Sequence, residues 1–164
     1  MIDWSQLGFQ GLHQVLNIHP VFVHFPIVLF PVAFLCYTIG IMRRHDRFIF
    51  AGRISLFLAP ITALAALLTG LLAEDTFKHS ETLHRMMETH ETIGYAVTIL
   101  GGMLLVWSFF QRMGVPKFPF LFLTLLLIVS VFVFQNGDLG GRMVFVEGAA
   151  VLQHDHHEDH HHDH

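Results

Sequence analysis

A chain of 164 residues is long enough for one domain, and its composition argues against one surrounded by water: 53% of the residues are hydrophobic and only 13% charged, about half the charged share of an ordinary soluble domain. The net charge of −4 comes from the last eleven residues alone, because residues 1–153 hold nine acidic and nine basic side chains. That balance leaves no basic patch for nucleic acid.

In chain order, residues 1–18 carry Trp4, Leu7, Phe9, Leu12 and Leu16 without any Lys or Arg. This fits a short amphipathic segment on a membrane interface, or equally a loosely ordered N-terminus with an aromatic anchor. The first long apolar run is Val21 to Met42. It is too long for the core of a cleaved signal peptide and has no basic residues ahead of it, so it reads as a retained span. His19-Pro20 reads as its helix start, since a proline in the first turn lacks only an N–H that has no helical partner anyway. Cys36, the single cysteine, lies inside this run and has no intrachain partner for a disulfide.

Three further runs follow, Phe48 to Ala73, Ile93 to Phe110 and Phe118 to Phe134, each meeting or approaching the roughly 20 residues that cross a bilayer core. The predicted fold is an all-α integral membrane four-helix bundle over residues 19–152, with spans at about 21–42, 48–73, 91–112 and 118–135. In the second span Ser55, Ala59, Ala63, Ala66, Gly70 and Ala73 recur every three or four residues, a small-residue stripe that lets membrane helices approach closely. The third span has a similar stripe in Gly94, Thr98, Gly101 and Ser108, and His90 continues it one turn earlier, pointing into the bundle. The fourth span, bulky throughout, reads as lipid-exposed. Gly137, Gly140 and Gly141 read as bracketing a turn that leads into Met143 to Leu152, a stretch too short to span and predicted to pack on the end of the bundle.

Lys and Arg set the orientation, because short loops rich in them stay in the cytoplasm. Arg43, Arg44, Arg47, Arg53, Arg112 and Lys117 lie around the first and third connections, against Lys78, Arg85 and Arg142 in the second connection and the C-terminal part. Both termini are therefore expected outside the cytoplasm. Of fourteen histidines only His45 then falls on the cytoplasmic side.

An ionisable side chain inside a span is a functional candidate by default. His24 and His90 sit at matched depth on different helices, and two inward imidazoles can hold a haem b iron from both faces. The plainer alternative makes them interfacial histidines bonded to water or to Asp75. The second connection, residues 74–91, places His79, His84 and Glu88 together; if it is helical, His84 and Glu88 share a face at i and i+4, half of a divalent metal site. A solvated polar loop is the alternative. The tail, residues 153–164, holds His154, His156, His157, His160, His161, His162 and His164 among four acids and no apolar residue, a composition suited to disorder and to zinc, nickel or copper. Its interleaved acids set it apart from an uninterrupted expression tag. No nucleophile motif, phosphate loop or CxxC pair points to catalysis.

His19-Pro20-Val21-Phe22-Val23-His24-Phe25-Pro26 resembles the HPxxVHFP signature of the bacterial membrane protein family called domain of unknown function 2231. Gly70 followed by Asp75, His90 opening the third helix, and Gly140-Gly141-Arg142-Met143-Val144-Phe145 resemble later landmarks of that family in the same order, and the likeness covers about residues 19–152. Glu147 before Gly148 departs from the aromatic residue or histidine often found there. The resemblance implies a compact four-helix membrane domain with marked histidines at His24 and His90, and no activity. Three functions remain open: a haem-b-binding or redox-associated bundle working with a membrane redox partner or as a homo-oligomer, a divalent-metal-handling protein, and a non-catalytic membrane subunit.

Overall fold

A computed structural model of the chain describes residues 15–74, 80–110 and 114–148. It contains α1 (Val15–Arg43), α2 (Asp46–Glu74), α3 (Glu81–Phe110) and α4 (Pro119–Phe145), packed as the expected all-helical bundle. All four are long and apolar enough to cross a membrane, and the chain is a multi-pass membrane protein. Each helix packs on its neighbour in sequence and α4 closes on α1, so α1 and α3 face each other across a diagonal. We call the end where α1 and α3 begin the histidine end, and the opposite end, with the α1–α2 and α3–α4 connections, the arginine end.

Local chemistry explains where the helices stop. Arg44 takes a left-handed conformation (φ 50°), and the His45 N–H then reaches back to the Gly40 carbonyl at 2.9 Å, closing the C-terminus of α1 before α2 starts at Asp46. Ser80 caps α3: its Oγ accepts from the Leu83 N–H at 3.3 Å, and Glu81 places a negative charge in the first turn. Pro119 opens α4 at the first helical turn.

Helix boundaries depart from the sequence expectations in three places. α1 is already helical at Val15, so Pro20 lies inside it together with Pro26 and Pro31. The polar stretch from Glu81 onward is helix, because the Ser80 cap starts α3 well before its apolar span. Gly137, Gly140 and Gly141 do not bracket a turn; α4 runs through all three to Phe145. Gly137 and Gly140 serve packing instead, since a Cβ there would lie 3.0 Å from Ile27 Cδ1 and 3.2 Å from His90 Cε1.

The expectation of a lipid-exposed α4 is also corrected. Phe122, Leu126, Val129, Ser130 and Val133 form a buried face along it, while Phe120, Leu121 and Val131 face outward. The small-residue stripes pack as predicted: Ala59, Ala63, Ala66 and Ala73 of α2 and Gly101 and Ser108 of α3 are buried. Close approach is obligatory at Gly101, where a Cβ would sit 2.5 Å from Cζ of the fully buried Phe30. Near the arginine end the buried Tyr37 hydroxyl bonds Ser108 Oγ at 2.9 Å, and Arg53 donates to the Ser108 carbonyl at 3.0 Å. This polar knot ties α1, α2 and α3 together where hydrocarbon would leave the groups unsatisfied.

Candidate functional site: an imidazole pair across the bundle

On α1 the residues His19, Val23, Pro26, Phe30, Ala33, Tyr37 and Gly40 follow one another at alternating four- and three-residue steps. Pro26, Phe30, Ala33, Tyr37 and Gly40 are buried, which makes this the inward seam of the helix. His19 is its outermost member and points toward α2. Its Nδ1 donates to the Ala66 carbonyl at 2.9 Å and lies 3.3 Å from Thr69 Oγ1. The Thr69 hydroxyl is itself turned back to the Ala65 and Ala66 carbonyls. Gly70 makes room for the ring, since a Cβ there would stand 3.0 Å from His19 Cε1.

His90 repeats the arrangement on α3. It points toward α4, donates from Nδ1 to the Asn136 carbonyl at 3.1 Å, and rests on Gly140. The two rings lie close together, with centroids 6.2 Å apart and planes at 75°. All four helices thus contribute to one layer: a histidine from α1 held by α2, and a histidine from α3 held by α4.

Both hydrogen-bond partners are carbonyl oxygens, which only accept. Each Nδ1 therefore carries a proton, and in the neutral ring each Nε2 keeps a lone pair, the tautomer in which histidine serves as a metal ligand. With both Nε2 atoms turned to one metal atom at about 2 Å, the two ring centres would stand roughly 6 Å apart, which is the spacing of this pair. Asn136 adds a further polar group beside His90: its Oδ1 is buried with no hydrogen-bond partner among the described residues. A buried acceptor of this kind calls for a ligand or a water.

The pairing of His24 with His90 expected from depth is not the one the bundle makes. His24 is exposed on the flank of α1, and its Nδ1 bonds the Pro20 carbonyl one turn back in the same helix. Five residues separate it from His19, a rotation of about 140° around the helix axis, so the two cannot share a face. His90 does point inward as predicted. Taking His19-Pro20 as a helix start passes over His19 as a ligand candidate. What identifies it is the burial of Phe30, Tyr37 and Gly40 in register with it, which appears only in the packed bundle.

His84 and Glu88 share a face of α3 as expected, 3.5 Å apart and both exposed. Among the described residues no third His, Cys, Asp or Glu joins them as a metal-binding group. His79, Asp75, the N-terminal segment up to residue 14 and the tail histidines His154, His156, His157, His160, His161, His162 and His164 lie outside the described residues.

Comparison with curated proteins and with solved structures gives no significant match in either set. Residues 15–153 match the family model described as "Predicted membrane protein (DUF2231)", and with the HPxxVHFP segment forming part of α1 and His90 facing it across the bundle, the chain belongs to that family.

Proposed function

We propose that the protein is a membrane-embedded haem-b-binding, redox-associated bundle in which His19 and His90 are the axial ligands. The observation that supports it is the meeting of two imidazoles across the bundle, each with Nδ1 committed to a backbone carbonyl and Nε2 left with a lone pair. The donor set fits the group: two neutral imidazoles suit a haem iron, and ligands on opposite helices of a bundle are held rigidly. Haem, when bound, supplies a one-electron acceptor and donor. The chain's own part is to fix both rings through the α2 and α4 carbonyls. On the orientation given by the loop charges this layer lies toward the outer face of the membrane, within reach of a membrane redox partner.

The test is the reduced-minus-oxidised spectrum of protein purified in mild detergent from haem-replete expression. Haem bands are expected in the native chain and are expected to vanish in His19→Ala and His90→Ala. Absence of bands from the native chain, or bands unaffected by both substitutions, sinks the reading.

A divalent-metal role is the second reading, favoured by the His84–Glu88 pair on one exposed helix face and by the histidine-rich composition of the tail. Calorimetric titration of the full chain and a tail-deleted chain with zinc, nickel and copper(II) tests it. Equal, weak binding by both counts against it.

A further inference from the structure

The histidine layer is not the outermost layer of the bundle. One turn beyond it, Leu83 and Met143 form a small separate core, 4% and 9% exposed, with Met86 and Met87 packed against it. Met86 and Met87 precede His90 by four and three residues, so they stand over it on α3. Met143 follows Gly140, which touches the His90 ring, by three residues on α4. Three methionines from two helices thus meet in one small cluster next to His90.

Methionine is not scattered through the interior. The chain has seven, yet the main core, built from residues such as Phe30, Leu56, Val97, Leu104, Phe122 and Leu126, includes none of the five that lie among the described residues. Two of the other four, Met42 and Met103, are 77% and 60% exposed. Among the described residues, the enclosed methionines are therefore concentrated in this one layer. Met86 and Met87 are only half-buried, so an ion reaches the cluster without crossing the apolar core.

We propose that Met86, Met87 and Met143 form a binding site for a soft monovalent cation, Cu(I). Thioethers are neutral, polarisable donors that select Cu(I) over the hard divalent ions, which require oxygen or nitrogen ligands. The site is distinct from the imidazole pair and does not depend on the haem reading. The competing explanation is that methionine merely fills an irregular gap at the end of the bundle.

The experiment uses the full chain in detergent under reducing, oxygen-free conditions, titrated with Cu(I) against a chromophoric Cu(I) chelator. X-ray absorption at the copper edge reads the ligands. Sulfur scatterers are expected in the coordination shell of copper on the native chain, whereas the tail histidines supply only nitrogen. In M86L/M87L/M143L, which keeps apolar volume while removing sulfur, the sulfur shell is expected to disappear and one Cu(I) equivalent to bind roughly tenfold or more weakly, with zinc binding unchanged. A coordination shell of nitrogen and oxygen only on the native chain overturns the proposal, and so does unchanged Cu(I) affinity in the leucine variant. If that variant fails to fold, a shell of nitrogen and oxygen only on the native chain still overturns the proposal, and C36A, expected to keep the sulfur shell, tests whether the thiol of Cys36 is its source. H19A/H90A separates the two readings, since it is expected to lose haem and retain copper bound through sulfur.

Discussion

His19 and His90 approach across the diagonal of the bundle with ring centroids 6.2 Å apart, and neither is held by its own helix. The Ala66 carbonyl on α2 fixes the first and the Asn136 carbonyl on α4 fixes the second. A small relative movement of any helix therefore reaches the pair.

The three histidines near the site are expected to separate cleanly. His24→Ala should leave haem binding intact because His24 is exposed and bonded within its own helix, whereas His19→Ala and His90→Ala should abolish it. Spectra of the three variants, purified side by side, are the check. Loss of haem in His24→Ala with retention in His19→Ala would reverse the assignment.

Glycine substitutions should divide by the space around them. At Gly70 and Gly140 a Cβ would stand 3.0 Å and 3.2 Å from the histidine rings. Overpacking typically costs about 1–3 kcal/mol, against a gain of roughly 0.5–1 kcal/mol from replacing helical glycine by alanine. Net destabilisation of up to about 2.5 kcal/mol is expected for Gly70→Ala and Gly140→Ala. A Cβ added at Gly102 or Gly141 would meet nothing within 4 Å, so alanine there should be neutral or stabilising. Denaturant unfolding in detergent distinguishes the two groups.

Asn136 gives a test of whether its side chain serves a ligand. Its backbone carbonyl holds His90, while its Oδ1 is buried and unpartnered among the described residues. Removing an unsatisfied buried acceptor relieves a penalty of about 1–3 kcal/mol, so Asn136→Leu should not destabilise the ligand-free bundle. Weaker haem binding by that otherwise stable variant would assign Oδ1 to the bound state; unchanged binding would assign it to a water.

Near the arginine end, Tyr37→Phe removes the 2.9 Å bond to Ser108 Oγ while leaving the ring packed on Phe122. Hydrogen bonds between membrane helices contribute modestly, and a loss of about 0.5–1.5 kcal/mol is expected. Because the knot is remote from the imidazole layer, the haem spectrum should stay unchanged. A shifted spectrum would mean that the two layers are coupled.

At the start of α3, Ser80→Ala deletes the cap on the Leu83 N–H and should lower stability by about 1 kcal/mol. Faster amide hydrogen exchange is expected over residues 82–84, with Ile93 onward unaffected. Ser80 followed by Glu81 is a helix-start signal legible in the sequence, and it marks the stretch from Glu81 to Glu91 as helix rather than polar loop.

The sequence by itself determined the four apolar helices, the gathering of histidines at one end and arginines at the other, the small-residue faces of α2 and α3, and the inward direction of His90. Each follows from run length or from a three-to-four-residue rhythm that needs no partner to be read. Tertiary structure alone decided which histidine meets His90. Through their long apolar stretches α1 and α4 carry bulky hydrophobic residues on every side, so no polar face marks which stripe is buried, and a rotation of about 140° exchanges His19 for His24. Only packing against α2 and α4 fixes that rotation. The same packing turns Gly137 and Gly140 from apparent turn residues into the ground on which Ile27 and His90 rest.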